Sequence, residues 1–452
     1  MNFLRLLSRF IVGIVFIFSG FVKAVDPLGS AYKFTDYFHA FGLDFLTVLA
    51  LPLAIFLAAI ELVLGLTLIM GFQRKVSYWV LFLFMSFFTL LTLVLAIFNP
   101  VADCGCFGDA IILTNWQTFF KNIILMPFVL LLFFNRNRRY HGYGDPFEWG
   151  VISALFAAVV LFSVNSYRHL PLLDFRPYDV GTHVAEEMTI PDGAPADQYK
   201  TKLFYRERSS GKIRSFTLEN YPKDTLKWEF VNSESKLIRK GYEPPIQDFA
   251  IQDPYGEEIT GQILNDPGYA LLMFCQDIDK SNPTALENSN EWANLQLITG
   301  DYKFYAVTSS NQQQVTMVKE EYGLIYDFYS ADEILLKTVV RSNPGFLLLK
   351  DGIIIGKWSW RDFPSVADID PSWPEMVEQA SSTINEEAFF TEEWNYEPTG
   401  FDVVRFDRPA MKYIFGEAGN LCKNLIITGF LLLLLLLYSV TGLFVLLKKK
   451  KR

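Results

Sequence analysis

The sequence predicts a membrane α-helical bundle joined to an extracytoplasmic part that contains a small β-rich module and an α/β domain. Of the 452 residues, 51% are hydrophobic, and such an excess over ordinary soluble domains has to be concentrated in separate segments. Basic residues cluster beside these segments in a pattern that indicates their direction through the membrane. Residues 166–421 are by contrast acidic, with 24 basic and 41 acidic side chains and a net charge of −17.

Six apolar segments are long enough, alone or with their flanks, to cross a hydrocarbon core about 30 Å thick, which needs roughly 20 residues of helix. The first, fourth and fifth are short, and we expect their polar flanks to complete the crossing by snorkelling. The first is interpreted as a retained helix, because no small-x-small cleavage site of a signal peptide follows Val22. The predicted spans are Phe10–Val22, Phe45–Phe72, Tyr78–Phe98, Phe119–Phe134, Trp149–Val164 and Leu425–Leu447.

The basic residues predict the orientation, because lysine and arginine in short loops stay on the cytoplasmic side. With six crossings and a cytoplasmic amino terminus, every basic cluster falls on that side, whereas the outer loops carry mainly Lys23 and Lys33. We therefore expect a multi-pass protein of the cell inner membrane with both termini cytoplasmic and residues 166–421 periplasmic. The acidic soluble region argues against nucleic acid as a partner, since phosphate contact requires a basic face. The cytoplasmic clusters are Arg5 and Arg9, Arg74–Lys75, Arg136, Arg138 and Arg139, and Lys448–Arg452.

The soluble region divides into two parts by its pattern. Residues 166–243 predict a small β-rich module, in which Lys202–Arg206 and Arg214–Leu218 flank Ser209-Ser-Gly211 as a hairpin and Trp228–Val231 adds a strand. From about Pro244, strands alternate with helices, as is typical of an α/β domain. The predicted strands are Tyr269–Cys275, Lys303–Val307, Gly345–Leu349 and Ile353–Trp358, the last two joined by a tight Lys350-Asp-Gly352 turn; the predicted helices are Glu287–Leu297, Gln312–Tyr322 and Asp332–Val340.

This order resembles the thioredoxin fold, in the branch of TlpA-like proteins and peroxiredoxins, over about residues 244–365. The segment Pro245–Gly256 is similar to the family's P-x-F-x-L-x-D-x-x-G opening, and Ser342-Asn343-Pro344 stands where the family keeps a cis-proline facing its active site. A cis peptide bond is favourable almost only before proline, so the residue type agrees. The resemblance implies a binding face that includes Asn343, Pro344 and Cys275.

The α/β domain departs from this family at its dithiol. Cys275 stands alone after its strand and is followed by Gln276-Asp-Ile-Asp279 rather than by a second cysteine. Without a resolving thiol one turn later, the domain is predicted to be inactive in intradomain dithiol exchange. Cys275 is then either a peroxiredoxin-like single thiol or a small buried hydrophobic residue, and we expect the domain to serve in binding or scaffolding.

Several motifs in the first four spans carry a second resemblance: Arg9-Phe-Ile-Val-Gly13, Phe18-Ser-Gly20 with Lys23, Asp26-Pro27, Glu61 with Gly65, and Asp103-Cys-Gly-Cys-Phe-Gly108. They are similar to the DoxX/MauE family of four-helix membrane proteins, which implies a link to envelope maturation or redox chemistry. The soluble extension resembles the architecture of Bacteroidetes members. The predicted organisation is a DoxX/MauE-like domain (1–140), a fifth transmembrane helix (147–165), the β-rich module (166–243), a thioredoxin-like domain (244–392), a periplasmic linker (393–421), a sixth transmembrane helix (422–447) and a basic tail (448–452).

Cys104 and Cys106 lie in the predicted outer loop between the third and fourth spans. Gly105 permits the tight turn that a bridge between cysteines two residues apart requires, and so short a ring departs from relaxed disulfide geometry. Strained, exposed disulfides have the higher reduction potentials of labile or catalytic bridges. This candidate redox dithiol is suited to passing electrons between a periplasmic partner and a quinone, by analogy with DsbB. A static disulfide is the alternative; a metal site is disfavoured, because two thiolates fall short of four zinc ligands.

Glu61 lies near the middle of the second predicted span, where an ionisable group costs at least ~2.5 kcal/mol. A functional interpretation is a proton relay or a polar contact to quinone. The alternative is a protonated glutamate that is hydrogen-bonded to Ser19 or Thr67 and holds helices together. Lys23 and Asp26, at the outer end of the first helix, are predicted to be interfacial anchors.

Two functions follow from these residues. The first is an envelope thiol-redox or protein-maturation activity of the Cys104/Cys106 loop, which would make the chain a thiol-disulfide or quinone oxidoreductase. The second is a non-enzymatic, membrane-anchored scaffold whose thioredoxin-like domain binds a periplasmic or outer-membrane protein. Cys422, at the start of the last span, is expected near the same outer face as the loop.

Overall fold

The computed structural model describes residues 2–137, 145–191, 193–239, 241–369 and 372–379, with a short pair of strands at Val403–Val404 and Phe415–Gly416. The chain divides into two units, one of residues 1–182 and 250–452 and one of residues 183–249. The predicted sixth span Leu425–Leu447, the basic tail and Cys422 lie outside the described residues.

Among the described residues, five helices are long and apolar enough to cross a membrane, and the first five predicted spans fall on them. Four of these helices extend beyond their predicted spans, because polar flanks such as Arg74 and Asp145 join the helical turns. The helix within the predicted span Phe45–Phe72 is shorter, Ala50–Met70, and is preceded by a 3₁₀ turn. The predicted outer loop after the first span contains a further helix, whose first turn Asp26 caps by accepting from Gly29 N. The helices are α1 Asn2–Val25, α2 Pro27–Ala40, α3 Ala50–Met70, α4 Arg74–Phe98, α5 Asn115–Phe134 and α6 Asp145–Arg168, with a 3₁₀ turn at Asp44–Leu49.

Glycines let α1 and α3 pack with their backbones in close contact. A Cβ atom on Gly20 would lie 2.3 Å from the backbone nitrogen of Leu62, and one on Gly65 would lie 2.7 Å from that of Ile17. Small residues at such crossings are common in membranes, where packing rather than hydrophobicity holds helices together. The close approach sets the register between the polar residues of the two helices.

Two features of the chain distinguish the ends of the bundle. At one end, residues 99–114 connect α4 to α5; we call these residues the thiol loop and this end the loop end. A capping box of Thr114 and Gln117 begins α5 there. At the opposite end, Arg9 donates from Nε to the carbonyl oxygen of Leu68, 2.7 Å away, and so satisfies an acceptor in the last turn of α3.

The unit of residues 183–249 begins with the short helix α7 Val184–Glu187 and contains an antiparallel sheet of order β2-β1-β3. The predicted hairpin is confirmed, with its turn at Gly211. The third strand continues eight residues past the predicted Val231, through a polar segment whose exposed side chains give no strand pattern. The strands are β1 Gln198–Glu207, β2 Ile213–Thr217 and β3 Trp228–Arg239.

The α/β domain is a five-stranded sheet flanked by helices, with strand order β6-β5-β4-β7-β8. Strands β4, β5 and β6 are parallel, whereas β7 runs antiparallel to β4 and to β8. Every residue of β4 is buried, and the peptide bond between Asn343 and Pro344, just before β7, is cis. The elements are α8 Thr260–Leu264, β4 Tyr269–Cys275, α9 Pro283–Thr299, β5 Tyr302–Thr308, α10 Gln312–Tyr322, β6 Phe328–Ser330, α11 Glu333–Val339, β7 Gly345–Lys350 and β8 Ile353–Ser359.

The segment that follows α6 belongs to the α/β domain rather than to the β-rich sheet. Ile354 of β8 donates to the carbonyl oxygen of Thr182 and accepts from the nitrogen of Gly181. Asp174 forms a bidentate pair with Arg176 and receives a hydrogen bond from Lys357 Nζ, 2.7 Å away. These bonds attach the chain leaving the membrane to the edge strand of the sheet.

Candidate functional site

The thiol loop brings its two cysteines into contact. The free thiols of Cys104 and Cys106 have their sulfur atoms 3.1 Å apart. Gly105 between them has a φ of +65°, a conformation that glycine adopts without steric cost. Asp103 holds the turn from both sides, because it accepts from Gly105 N (2.9 Å) and from Lys33 Nζ (2.6 Å). Formation of a bond between the two sulfurs therefore needs only a small local movement.

The thiol loop packs along the last turns of α1. The ring of Phe107 lies against that of Phe18, with centroids 5.4 Å apart. The carbonyl oxygen of Cys106 accepts from Ser19 Oγ (2.7 Å) and from Lys23 Nζ (2.6 Å). Two side chains of α1 thus fix the backbone of Cys106.

Glu61 joins the same polar cluster from α3. Its Oε2 atom accepts from Lys23 Nζ and from Ser19 Oγ, each 2.7 Å away. The Lys23 and Glu61 side chains are only 6% and 7% exposed. Ser19 and Lys23 share a face of α1, because residues four apart lie one above the other on a helix. Lys23 therefore connects the two predicted residues: it forms a buried ion pair with Glu61 and donates to the carbonyl oxygen of Cys106.

The interpretation of Lys23 as an interfacial anchor is wrong. Its stem and ammonium group turn into the bundle, where the carboxylate of Glu61 compensates a charge that would otherwise be costly to bury. Of the two partners suggested for Glu61, Ser19 is the one that contacts it, and its hydroxyl donates to Glu61 Oε2. Thr67, the other predicted partner, donates instead to the carbonyl oxygen of Leu64 in its own helix.

Asp26 also has a different role from the predicted anchor. Arg341, which follows α11, donates to Asp26 Oδ2 (2.9 Å) and to Asp109 Oδ2 of the thiol loop (2.6 Å). Nearby, Tyr32 of α2 donates to Gln276 Oε1 (2.8 Å). The Arg341 side chain is 6% exposed, so these bonds lie within an interface. The α/β domain is thereby attached to the loop that carries the thiols.

A cavity of about 240 Å³ opens beside the thiols. Its polar end is formed by Ser19, Lys23, Glu61, Lys121 and both cysteines, and its other walls are mainly aromatic. A site of this kind, largely apolar with a few convergent polar groups, is the usual form of a small-molecule site. The aromatic and aliphatic side chains that line it include Phe16, Phe34, Phe38, Phe84, Met85, Phe88 and Leu91.

The two thiols differ in acidity. A hydrogen bond from the Cys104 thiol lowers the pKa of Cys106 to about 6, against the opposing effect of burial and with help from the ammonium groups of Lys121 and Lys23. The same hydrogen bond, together with burial, raises the pKa of Cys104. Cys106 is therefore the thiolate of the pair near neutral pH, and the thiolate is the nucleophilic form of cysteine.

Tyr37, on α2, holds the backbone of Cys104. Its hydroxyl donates to the carbonyl oxygen of Cys104, 2.8 Å away. Burial raises the pKa of Tyr37 above its ordinary value, which keeps the phenol protonated as a donor. The carbonyl groups of both cysteines are thus held by side chains of neighbouring helices.

Sequence reasoning missed Lys121, Tyr37 and the contact of Lys33. Lys121 lies inside the predicted fourth span, so the rule that singles out Glu61, an ionisable residue within an apolar segment, applies to it equally. Lys33 and Tyr37 are four residues apart in a helix that the sequence analysis treated as a loop, so their common face was not apparent.

Of the three residues predicted for the binding face of the α/β domain, Cys275 lies in its core. Cys275 is fully buried in the core of the domain, and burial raises the pKa of its thiol to about 12. Asn343 instead contacts Ser281 Oγ (3.0 Å) and the backbone nitrogen of Asn282 (3.3 Å), at the start of α9. The polar groups beside the cis bond to Pro344 are therefore Ser281 and Asn343. Cys275 is the buried last residue of β4.

Comparisons with known proteins concern parts of the chain. Residues 1–135 match the sequence model of the family described as methylamine utilisation protein MauE, and residues 199–240 match a domain of unknown function (DUF8463). No curated protein sequence matches the chain. A proposed protein disulfide isomerase from Bacteroides thetaiotaomicron is 13% identical, with a TM-score of 0.21, 31% of this chain covered and 89% of that chain. An uncharacterised protein from Geobacillus kaustophilus is 14% identical, with a TM-score of 0.21, 34% of this chain covered and 90% of that chain.

At these TM-scores the two solved structures support no functional conclusion. The family match covers α1 to α5 and the thiol loop, including Lys23, Glu61, Cys104 and Cys106. The membrane part of the chain, residues 1–135, is thus a multi-helix membrane region that matches the MauE family.

Proposed function

We propose that this chain is a membrane thiol-disulfide protein of the cell envelope in which Cys104 and Cys106 alternate between dithiol and disulfide. The observation that carries the proposal is the pair of sulfur atoms, 3.1 Å apart, in the wall of a cavity that reaches Glu61. Two cysteines serving only as packing residues would need neither a cavity nor a buried ion pair next to them.

In the exchange with a protein substrate, the substrate disulfide is reduced while a disulfide forms between Cys104 and Cys106, so no other oxidant or reductant is needed. The Cys106 thiolate attacks a sulfur of the substrate disulfide, forms a mixed disulfide and releases one substrate thiolate. Cys104 then loses its proton and attacks the sulfur of Cys106, which releases the second substrate thiolate and leaves the loop oxidised. The substrate gains two electrons, and the reverse sequence oxidises a substrate dithiol. The contacts of Lys23, Ser19 and Tyr37 with the two carbonyl groups keep the loop backbone in place during both steps.

The proposed location is the inner membrane, with the thiol loop, the β-rich unit and the α/β domain in the periplasm. Support comes from basic residues at the helix ends opposite the loop end, where Arg5, Arg9, Arg74 and Arg136 lie. A periplasmic loop would experience an oxidising compartment, in which thiols are normally held oxidised or used in exchange.

The proposed role of the α/β domain is docking in a thioredoxin-like fold. The strand order β6-β5-β4-β7-β8 and the cis bond at Asn343-Pro344 before β7 support that fold. The bonds of Arg341 to Asp26 and Asp109 favour a scaffold contribution as well, because they hold the domain at the thiol loop. A scaffold without redox chemistry is the second candidate function.

Thiol trapping in intact cells separates these functions. In a C275S/C422S background, Cys104 and Cys106 are the remaining cysteines, and a maleimide that adds mass reports how many are reduced. We expect the doubly reduced fraction to rise after a reductant pulse and to fall after removal of the reductant. C104S, which keeps the attacking Cys106 and lacks the resolving thiol, should accumulate mixed disulfides with protein substrates, and C106S should form few or none. An unchanged thiol state, together with full function of the C104S/C106S double variant, would leave the scaffold as the better account.

A further inference from the structure

The strongest unassigned feature is the aromatic cavity, and its opening indicates where a ligand enters. Phe41 and Phe87 line it, yet they are 44% and 61% exposed, so they form its rim. Phe87 precedes the end of α4 by eleven residues, or about 16 Å at the rise of an α-helix. That depth lies within a hydrocarbon core about 30 Å thick. A ligand reaching the thiols by this route must be soluble in the lipid phase.

The charges of the polar end leave Lys121 able to donate to a ligand. Lys23 is paired with Glu61, and Lys33 with Asp103. Within the parts of the chain that the structure describes, no carboxylate lies within ion-pair distance of Lys121, whose Nζ atom is 4.5 Å from the ring of Phe107. A half-buried ammonium group is costly unless a hydrogen-bond acceptor meets it. A carbonyl or phenolate oxygen of a ligand would meet this need.

The shape of the cavity selects a flat head group. Phe34, Phe38, Phe84 and Phe88 surround the space with rings, which favour offset or edge contacts with another ring. An apolar cavity of about 150 Å³ is known to bind benzene, so about 240 Å³ suits one ring or two fused rings. Two acyl chains and a phosphate would exceed this volume.

From this geometry we infer that the cavity is the head-group site of an isoprenoid quinone, with Lys121 donating to a quinone oxygen and the tail leaving between α2 and α4. The inference rests on the proposed thiol exchange. Bound quinone would supply a two-electron, two-proton acceptor. The Cys106 thiolate and the Cys104 thiol lose two electrons and one proton as their sulfur atoms bond. The quinone takes up both electrons, that proton and a second proton from water, and quinol is the other product. Lys23 Nζ, between Glu61 and Cys106, is placed to hold a proton beside the thiolate.

A cavity-filling variant with a matched control tests the site. Leu91→Trp places a large side chain in the cavity, whereas Leu90→Trp, one residue earlier, lies on the exposed face of α4. Lys121→Met removes the donor and Lys121→Arg retains it. The full chain is reconstituted in lipid nanodiscs with decylubiquinone or menadione, and the quinone retained after gel filtration is extracted and quantified. We expect binding to weaken at least tenfold in L91W and K121M, and to stay within twofold in L90W and K121R.

A second measurement separates this inference from the proposed function. Exchange between the loop and a substrate dithiol, measured without quinone in a single turnover, should still proceed in L91W, while oxidation of the loop by quinone is lost; L90W should retain both. Unchanged quinone binding in L91W and K121M overturns the site even if exchange is intact. Phospholipid rather than quinone recovered from the wild type, and absent from L91W, overturns the ligand class. Loss of exchange in all proteins, with quinone still retained by C104S/C106S, counts against the proposed function and not against the site.

Discussion

The buried ion pair of Lys23 and Glu61 makes the sharpest energetic prediction. Both side chains are less than one-tenth exposed, and Lys23 also donates to Cys106 O. Removing one partner of a buried pair leaves an uncompensated charge and costs about 3–5 kcal/mol. Lys23→Met should therefore lower the free energy of unfolding by about that amount. Glu61→Gln should cost less, because glutamine keeps an acceptor for Ser19 while Lys23 retains the carbonyl of Cys106.

The double variant K23M/E61Q isolates the interaction. Two residues in direct contact show a coupling energy of about 0.5–3 kcal/mol, and for this buried pair we expect the upper part of that range. The free energy of unfolding is measured by titration with sodium dodecyl sulfate in mixed micelles. The control is a second double-mutant cycle, with Lys33→Met and Asp103→Asn, on a more exposed ion pair. Their side chains are 33% and 19% exposed, so the coupling should be about 1 kcal/mol or less. Additive effects at Lys23 and Glu61, within error, would refute the assignment of a buried ion pair.

Three further outcomes follow from the structure. Gly20→Ala should lower the melting temperature of the bundle, because the added Cβ would lie 2.3 Å from the backbone of α3. Gly150→Ala in α6 is the control: its Cβ meets nothing within 4 Å, so the melting temperature should stay nearly unchanged. The alkylation rate of Cys106 in the dithiol state should rise as pH increases through the pKa of about 6 and level off above it. In Cys104→Ala, which has no side-chain donor, the midpoint should move to higher pH, and an unshifted midpoint would exclude the hydrogen bond as its cause. Arg341→Met should increase hydrogen exchange in α2 and the thiol loop, while unchanged exchange would show that the domain is held there by other contacts.

Much of the architecture was predictable because local signals agree with the tertiary structure. Asn311 begins α10 with a capping box, and Asp351 with Gly352 adopts the positive φ angles expected of the β7-β8 turn. The first five spans were equally accessible, since a hydrophobic run of about 20 residues has few alternatives in a membrane protein. Strand β6 was missed because its three residues, Phe328–Ser330, are too short to show a period.

The composition of the site was only partly predictable. Cys104, Cys106 and Glu61 stand out by residue type and position. Their meeting with Lys23 depends on how α1 and α3 align, which Gly20 and Gly65 determine through backbone contacts between residues some 40 positions apart. A single sequence contains the glycines but not the register they produce. The sequence for this reason predicts Ser19 and Thr67 equally as hydrogen-bond partners of a protonated Glu61.

The arrangement also explains why a redox loop would be built against a charged pair inside a membrane. Lys23 simultaneously compensates Glu61, holds the carbonyl of Cys106 and places positive charge near its thiolate. Oxidation of the thiols removes the thiolate, so the ion pair is the part of the site whose charge balance does not depend on the redox state. A carboxylate without its lysine would instead repel the thiolate and raise its pKa. The same three-way contact that makes Lys23 costly to replace therefore adds to the hydrogen bond from Cys104 in holding Cys106 as a thiolate.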